Sequence, residues 1–241
     1  MDIFLVTIII FFAFFIRATF GFGDAMVGMP LLVVIIGLQA AVPLMAMLAL
    51  LMAFMILAKN RQYVSFKMSW KLVASSLVGV PLGLFYLSYI NEALVNILLA
   101  VFIITFACLR LLDIRLKLKT PPFVTYLVGF VSGILGGAYN INGPPVIILL
   151  SAQNWAAAKF RSTLQGYFFF TGMGMVAGHI AWGNVNAEVF HYFLYGLPAL
   201  VLAFLLGEFW FAKFKSEKFY RWVYGLMILI GAGLIVKVIA A

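Results

Sequence analysis

Two charges stand where the sequence is otherwise apolar. Arg17 lies four residues before Gly21, and Asp24 lies three residues after it. An arginine inside a membrane segment costs at least about 2.5–3.5 kcal/mol on insertion scales, so it needs a reason to be there. Its planar fork of N–H donors can clamp a carboxylate or sulfonate through two parallel hydrogen bonds. The competing readings are a side chain that snorkels to the nearer surface, or one that pairs with Asp24. Asp24 can carry a coupling proton, keep Arg17 neutralised while no substrate is bound, or cap the helix that follows.

A second group lies more than a hundred residues later. Tyr139, Asn140 and Asn142 offer a hydroxyl and two amides beside Gly143, Pro144 and Pro145, donors suited to a planar or tetrahedral oxyanion. The same residues favour turns and helix caps for local reasons, and one side chain can serve both ends. Arg161, Thr163 and Gln165 open the next apolar stretch, where Arg161 either draws anions to a cytoplasmic mouth or fixes topology. His179 and His191 are isolated and predict no metal site, and no cofactor is expected. The single cysteine, Cys108, permits no internal disulfide and reads as a packed apolar residue.

The elements that must position these residues are two interruptions, GFGDAMVGMP at 21–30 and GGAYNINGPP at 136–145. They align without a gap: Gly21 with Gly136, Gly28 with Gly143 and Pro30 with Pro145 are each 115 apart. Backbone that leaves the helix inside lipid survives only where protein covers it or a polar cavity reaches it, so a broken helix points to a site. Pro30 and Pro145 are each expected to open a short helix, because proline suits a first turn whose N–H is unpaired anyway. Such an N-terminus carries roughly +0.5 charge and free donors, which favour a bound anion. The expected binding set is therefore Arg17, Gly21, Phe22, Gly23, Asp24, Gly28 and Pro30 from the first break. From the second it is Gly136, Gly137, Tyr139, Asn140, Asn142, Gly143, Pro144 and Pro145, with Arg161 and Gln165 beyond.

Composition sets the frame. The 241 residues are 66% hydrophobic and 10% charged, far outside soluble globular usage, which predicts a polytopic all-α membrane protein with no soluble domain of useful size. A net charge of +9 does not imply nucleic acid, since the basic residues are scattered through short loops. Fourteen of the 16 fall around residues 59–71, 110–119, 159–161 and 213–221, the exceptions being Arg17 and Lys237. Placed in the cytoplasm by the positive-inside rule, these loops put both termini outside. They also make the span after the first break run inward and its counterpart after the second run outward. The expected fold is two inverted repeats, 1–120 and 121–241, each a broken helical hairpin plus three transmembrane helices, with the breaks near the membrane midplane. The N-terminal segment lacks a basic n-region and a small-x-small cleavage pattern, and is expected to be retained.

Inverted repeats with paired interruptions are an architecture of secondary transporters, in which two halves exchange access around one site. No GxxxxGK[ST] loop occurs, which argues against ATP drive from this chain. No HExxH or paired nucleophile and base occurs, so an enzyme is not expected. IRATFGFGDAMVGMPLL, then GILGGAYNINGPPVIILLSAQ followed by FRSTLQGYFFFTG, resemble the TauE/SafE family of membrane transporters, often called sulfite exporters, over nearly the whole chain. That resemblance implies export of sulfite, a sulfonate, a sulfoacetate-like compound or a related small organic anion, from a multi-pass protein of the bacterial inner membrane. The alternatives are an anion channel, or a carboxylate uptake permease coupled to a cation. The partners this reading allows are a small anion, membrane lipid, a coupling proton or cation and a second copy of the chain, with no nucleic acid.

Overall fold

The computed structural model describes residues 2–86, 92–112, 121–139, 142–214 and 216–239. Among them run nine α-helices and no strand: α1 (Asp2–Phe20), α2 (Asp24–Asn60), α3 (Phe66–Tyr86), α4 (Glu92–Leu111), α5 (Pro122–Tyr139), α6 (Gly143–Ser151), α7 (Ala157–Ala181), α8 (Ala187–Lys213) and α9 (Ser216–Ile239). Helices are what apolar sequence must form in lipid, because they satisfy every interior backbone group within one segment. Four stretches among the described residues are long and apolar enough to cross a bilayer: Ile3–Phe20, Gln39–Tyr63, Ala187–Lys213 and Lys218–Val236. The protein is a multi-pass integral membrane protein.

The chain divides into two compact units. The first combines Met1–Val73 with Arg161–Phe214, and the second combines Ala74–Phe160 with Lys215–Ala241.

In the first unit α1 packs along both α2 and α8. Its core holds Ile10, Phe14, Leu44, Leu48, Met52 and Leu200. Small residues bring the backbones close, as expected where lipid tails give apolar side chains no reason to prefer protein over lipid. A Cβ on Gly207 of α8 would run into Ala18 of α1. The long α2 is not one rod. Gly37 has φ 73° and ψ 164°, and a Cβ on Gly28 would lie 3.1 Å from Met45 Cε and 3.2 Å from Ala13 Cβ. Seventeen residues of straight helix put their ends about 25 Å apart, so the chain folds back at Gly37. The 24–36 leg, about 20 Å long, therefore runs antiparallel to both α1 and the 38–60 leg.

This geometry corrects one expectation. The first short helix starts at Asp24, not at Pro30, which lies well past the first turn. The reason is local: Gly21 (φ 91°) and Gly23 (φ 102°) take the left-handed conformation that turns the chain within three residues. The short helix does end at Gly37, as expected.

In the second unit α4 pairs with α9, and α5 with α6. Ser76 Oγ donates to the Gly129 carbonyl (2.6 Å), and a Cβ on Gly133 would strike the Ser76 carbonyl, so α3 and α5 cross almost backbone to backbone. Arg110 Nε donates to Tyr224 Oη (3.1 Å), and a second Arg110 nitrogen donates to Asn154. With Tyr220 Oη donating to the Trp155 carbonyl (2.8 Å), these bonds fasten the turn after α6 to α4 and α9. Cys108 is exposed on α4, whereas the sequence suggested a packed residue; its neighbour Ala107 is the one turned inward.

Candidate functional site

The first break is held by side chains distant in sequence. The Gly21 amide donates to the Arg17 carbonyl (2.7 Å), closing α1. Gln165 Nε2, from α7, donates to the Gly21 carbonyl (2.6 Å). The same amide's oxygen accepts from Arg17 Nη2 (3.2 Å), so one glutamine clamps both the loop and the arginine beside it. The fit leaves no room: a Cβ on Gly21 would lie 3.2 Å from Arg161 Cγ and 3.4 Å from Gln165 Nε2. Phe22 is buried, and Gly23 occupies the N-cap position of α2, where no side chain caps the first turn.

Arg17 is only 4% exposed and pairs with Asp24 (Nη1 to Oδ2, 2.7 Å). Its guanidinium lies 4.9 Å from the Phe168 ring centroid, a cation–π distance. The Asp24 carboxylate also sits in the first turn of α2, where the helix dipole favours negative charge. Of the readings open in the sequence, pairing with Asp24 is the arrangement present here. Among the described residues, Arg17 Nε nevertheless has no hydrogen-bond partner.

A second buried charge group flanks the same loop. Arg161 is 1% exposed, not lodged at an open mouth. It donates to the Ala18 carbonyl and to Glu208 of α8, and its guanidinium stands 4.3 Å from the Phe211 ring centroid. Lys59, near the end of α2, approaches the other Glu208 oxygen at 3.0 Å. Arg161 Nε also has no partner among the described residues. A buried N–H left without an acceptor costs about 1–3 kcal/mol, more when the group is charged. Among the described residues both such donors are on arginines at the 17–24 turn.

The buried charges cancel in pairs, Arg17 with Asp24 and Arg161 with Glu208, and Lys59 adds a further positive charge from the exposed side. The group also spans a gradient of exposure, since the Lys59 side chain is 58% exposed and that of Arg161 1%. From Gly207, which abuts Ala18, α8 runs six residues to Lys213, about 9 Å. The first break thus lies near the basic end of its unit rather than halfway down α1.

In the second unit α5 continues through Gly136 and Gly137 to Tyr139, so those glycines and Tyr139 are helical and the break is shorter than expected. The small Gly136 leaves room for the returning chain: a Cβ there would come within 2.9 Å of Asn142 Cβ. Asn140 lies outside the described residues. Asn142 does hold the N-cap position of α6, but its side chain makes no cap bond, and its carbonyl instead accepts from Ser132 Oγ. Pro144 and Pro145 fall in the first turn as expected and are buried. Two prolines also remove two of the usual four free N–H groups, so this helix end offers an anion fewer donors than the sequence argument supposed.

Glu208 escaped the reading of the sequence. The signal was present, an acid within an apolar 27-residue helix, and such a residue needs a cation as neighbour. Nothing local names that cation, because Arg161 and Lys59 lie 47 and 149 residues away.

The sequence matches the family model described as Sulfite exporter TauE/SafE over residues 6–234. It is similar to a protein of Cupriavidus necator named "Probable sulfite/organosulfonate exporter TauE", with 26% identity over 180 residues, covering 71% of this chain and 70% of that one. No solved structure matches.

Proposed function

The chain belongs to the sulfite exporter TauE/SafE family, and we propose on that footing that it is a secondary carrier exporting a small sulfur-containing or organic anion across the bacterial inner membrane. The observation that carries this reading is the pair of buried arginines at the first break, each with an Nε–H that no group among the described residues accepts. An oxyanion supplies acceptors for these donors. Arg17 and Gln165 hold it, the 21–24 loop with Phe22 shapes the pocket, and Gly28 and Pro30 set the leg beneath. The second break, with Gly136, Gly137, Tyr139, Asn140, Asn142, Gly143, Pro144 and Pro145, forms the matching element of the other repeat. Repeats 1–120 and 121–241 are inverted copies that exchange access by rocking.

An inside-negative potential favours exit of an anion by about 2.3 kcal/mol per charge per 100 mV, so export needs no nucleotide and no obligatory coupled ion. Purified protein in proteoliposomes tests this. Saturable counterflow of labelled sulfoacetate or sulfite, lost in Arg17→Ala, is the expected result. Large single-channel currents in planar bilayers, or flux that never saturates, would overturn the carrier in favour of a pore.

A further inference from the structure

The buried charges at the first break already cancel, so an anion cannot simply be added there; it can only be exchanged for one that is present. Two carboxylates are in place, Asp24 on Arg17 and Glu208 on Arg161, and their settings differ. Glu208 lies within the continuous helix α8 and holds Lys59 as well as Arg161, so its release frees two cations at once. Among the described residues Asp24 has one ion-pair partner, Arg17. It stands at the tip of the 24–36 leg, whose ends are turns with glycines of positive φ, Gly21 and Gly23 before it and Gly37 after it. A Cβ on Gly37 would meet nothing within 4 Å. The Arg17 guanidinium is only partly engaged: Nη1 donates to Asp24 Oδ2 (2.7 Å) and Nη2 to the neutral amide of Gln165 (3.2 Å), whereas the buried Nε meets no acceptor among the described residues. An oxyanion that takes the Nε–Nη2 edge makes two parallel bonds. With Asp24 still in place that leaves a net negative charge buried, which is costly.

We infer that Asp24 is the resident counter-ion of the substrate site: its carboxylate neutralises Arg17 while no substrate is bound, and an oxyanion group of the substrate replaces it in each cycle as the 24–36 leg carries the carboxylate away. The inference rests on the function proposed above and specifies what the substrate must displace. The departure of the leg tip supplies room for the anion and takes the surplus charge out of the buried site. The empty site is thus self-inhibited, and affinity is set by competition between the anion and Asp24. The return of Asp24 to Arg17 then helps to expel the anion.

Methanesulfonate, a small oxyanion of fixed charge, is the probe, and its Kd is measured by calorimetry on the full-length protein in detergent. Competition with a resident carboxylate reduces affinity by the fraction of molecules in which Asp24 is away, so Asp24→Asn should bind methanesulfonate at least about tenfold more tightly than the wild type. Without the anion its thermal unfolding should lie roughly 6–20 °C below the wild type, because Arg17 is then buried alone, and methanesulfonate should restore most of that loss. Arg17→Met with Asp24→Leu should show neither the gain in affinity nor the restoration. In proteoliposomes Asp24→Asn should lower KM and the maximal rate together, since no carboxylate returns to release the anion. A second measurement keeps Asp24. With the exposed Cys108 replaced by serine, Ala25→Cys beside the carboxylate should react with a water-soluble maleimide at least about tenfold faster at saturating methanesulfonate. This decides the matter if Asp24→Asn does not fold. Equal or weaker affinity in Asp24→Asn, tighter binding that survives in the double variant, or labelling that ignores the anion overturns the exchange while leaving the carrier standing. The carrier itself falls only with the absence of wild-type counterflow.

Discussion

Removing Arg17 separates a binding role from a structural one. Arg17 and Asp24 are 4% and 6% exposed and joined at 2.7 Å, so Arg17→Ala leaves a carboxylate buried without its cation and strips Gln165 Oε1 of its donor. Breaking a buried pair from one side costs about 3–5 kcal/mol. At about 2–4 °C per kcal/mol for a chain of this size, thermal unfolding in detergent should fall by roughly 6–20 °C. Taking out both charges removes the orphan, and Arg17→Met with Asp24→Leu should return to within about 1 kcal/mol of the wild type. Transport should be abolished in the single and the double variant alike, because the anion's ligand is missing from both. If the stable double variant still carries out counterflow at wild-type rates, Arg17 is only a structural partner of Asp24 and its assignment to the substrate is wrong. If the double variant is as unstable as the single, the ion pair is not what holds the first turn.

Two further substitutions test the framework that presents the site. Gly37→Ala should cost about 1–3 kcal/mol in thermal unfolding, since φ 73° with ψ 164° is a conformation that essentially only glycine adopts. The control is Gly225→Ala, also in open space but inside α9, which should gain about 0.5–1 kcal/mol; equal behaviour of the two would remove the fold-back at Gly37. Gly133→Ala should cost about 1–3 kcal/mol by driving α5 away from the Ser76 backbone, whereas Ser76→Ala, which loses a hydrogen bond to Gly129, should cost about 0.5–1.5 kcal/mol.

Hydropathy was enough to read the helical class and the membrane setting, because apolar runs in lipid have one backbone solution. The breaks were legible in outline, because polar residues and glycines that interrupt an apolar stretch mark backbone that leaves the helix. Their edges were not. Proline marked the second helix start correctly and the first wrongly, because Gly21 and Gly23 turn the chain seven residues before Pro30 is reached. Gly136 and Gly137 look like a break but lie within α5, and Gly136 serves a close approach that only the position of Asn142 reveals. Arg17 could be paired with Asp24 from the sequence because they are neighbours across one turn. Gln165 and Glu208 could not be, since their partners come from helices that meet only in the folded bundle.

The turn at Gly21 has a consequence for how the protein is made. At about 5–20 residues per second, synthesis reaches Gln165 roughly 7–28 s after Asp24, a gap of 141 residues. Throughout that interval the nascent chain has no glutamine to secure the loop, and the 24–36 leg is too short to cross the bilayer by itself. The acid seven positions downstream of Arg17 is therefore its escort during insertion. Arg161, emerging after Lys59 and 47 residues before its own counter-charge, has no such chaperone in the adjacent sequence. Ribosome-bound intermediates truncated between residues 165 and 208 should accordingly hold the first turn in lipid while leaving the start of α7 outside it.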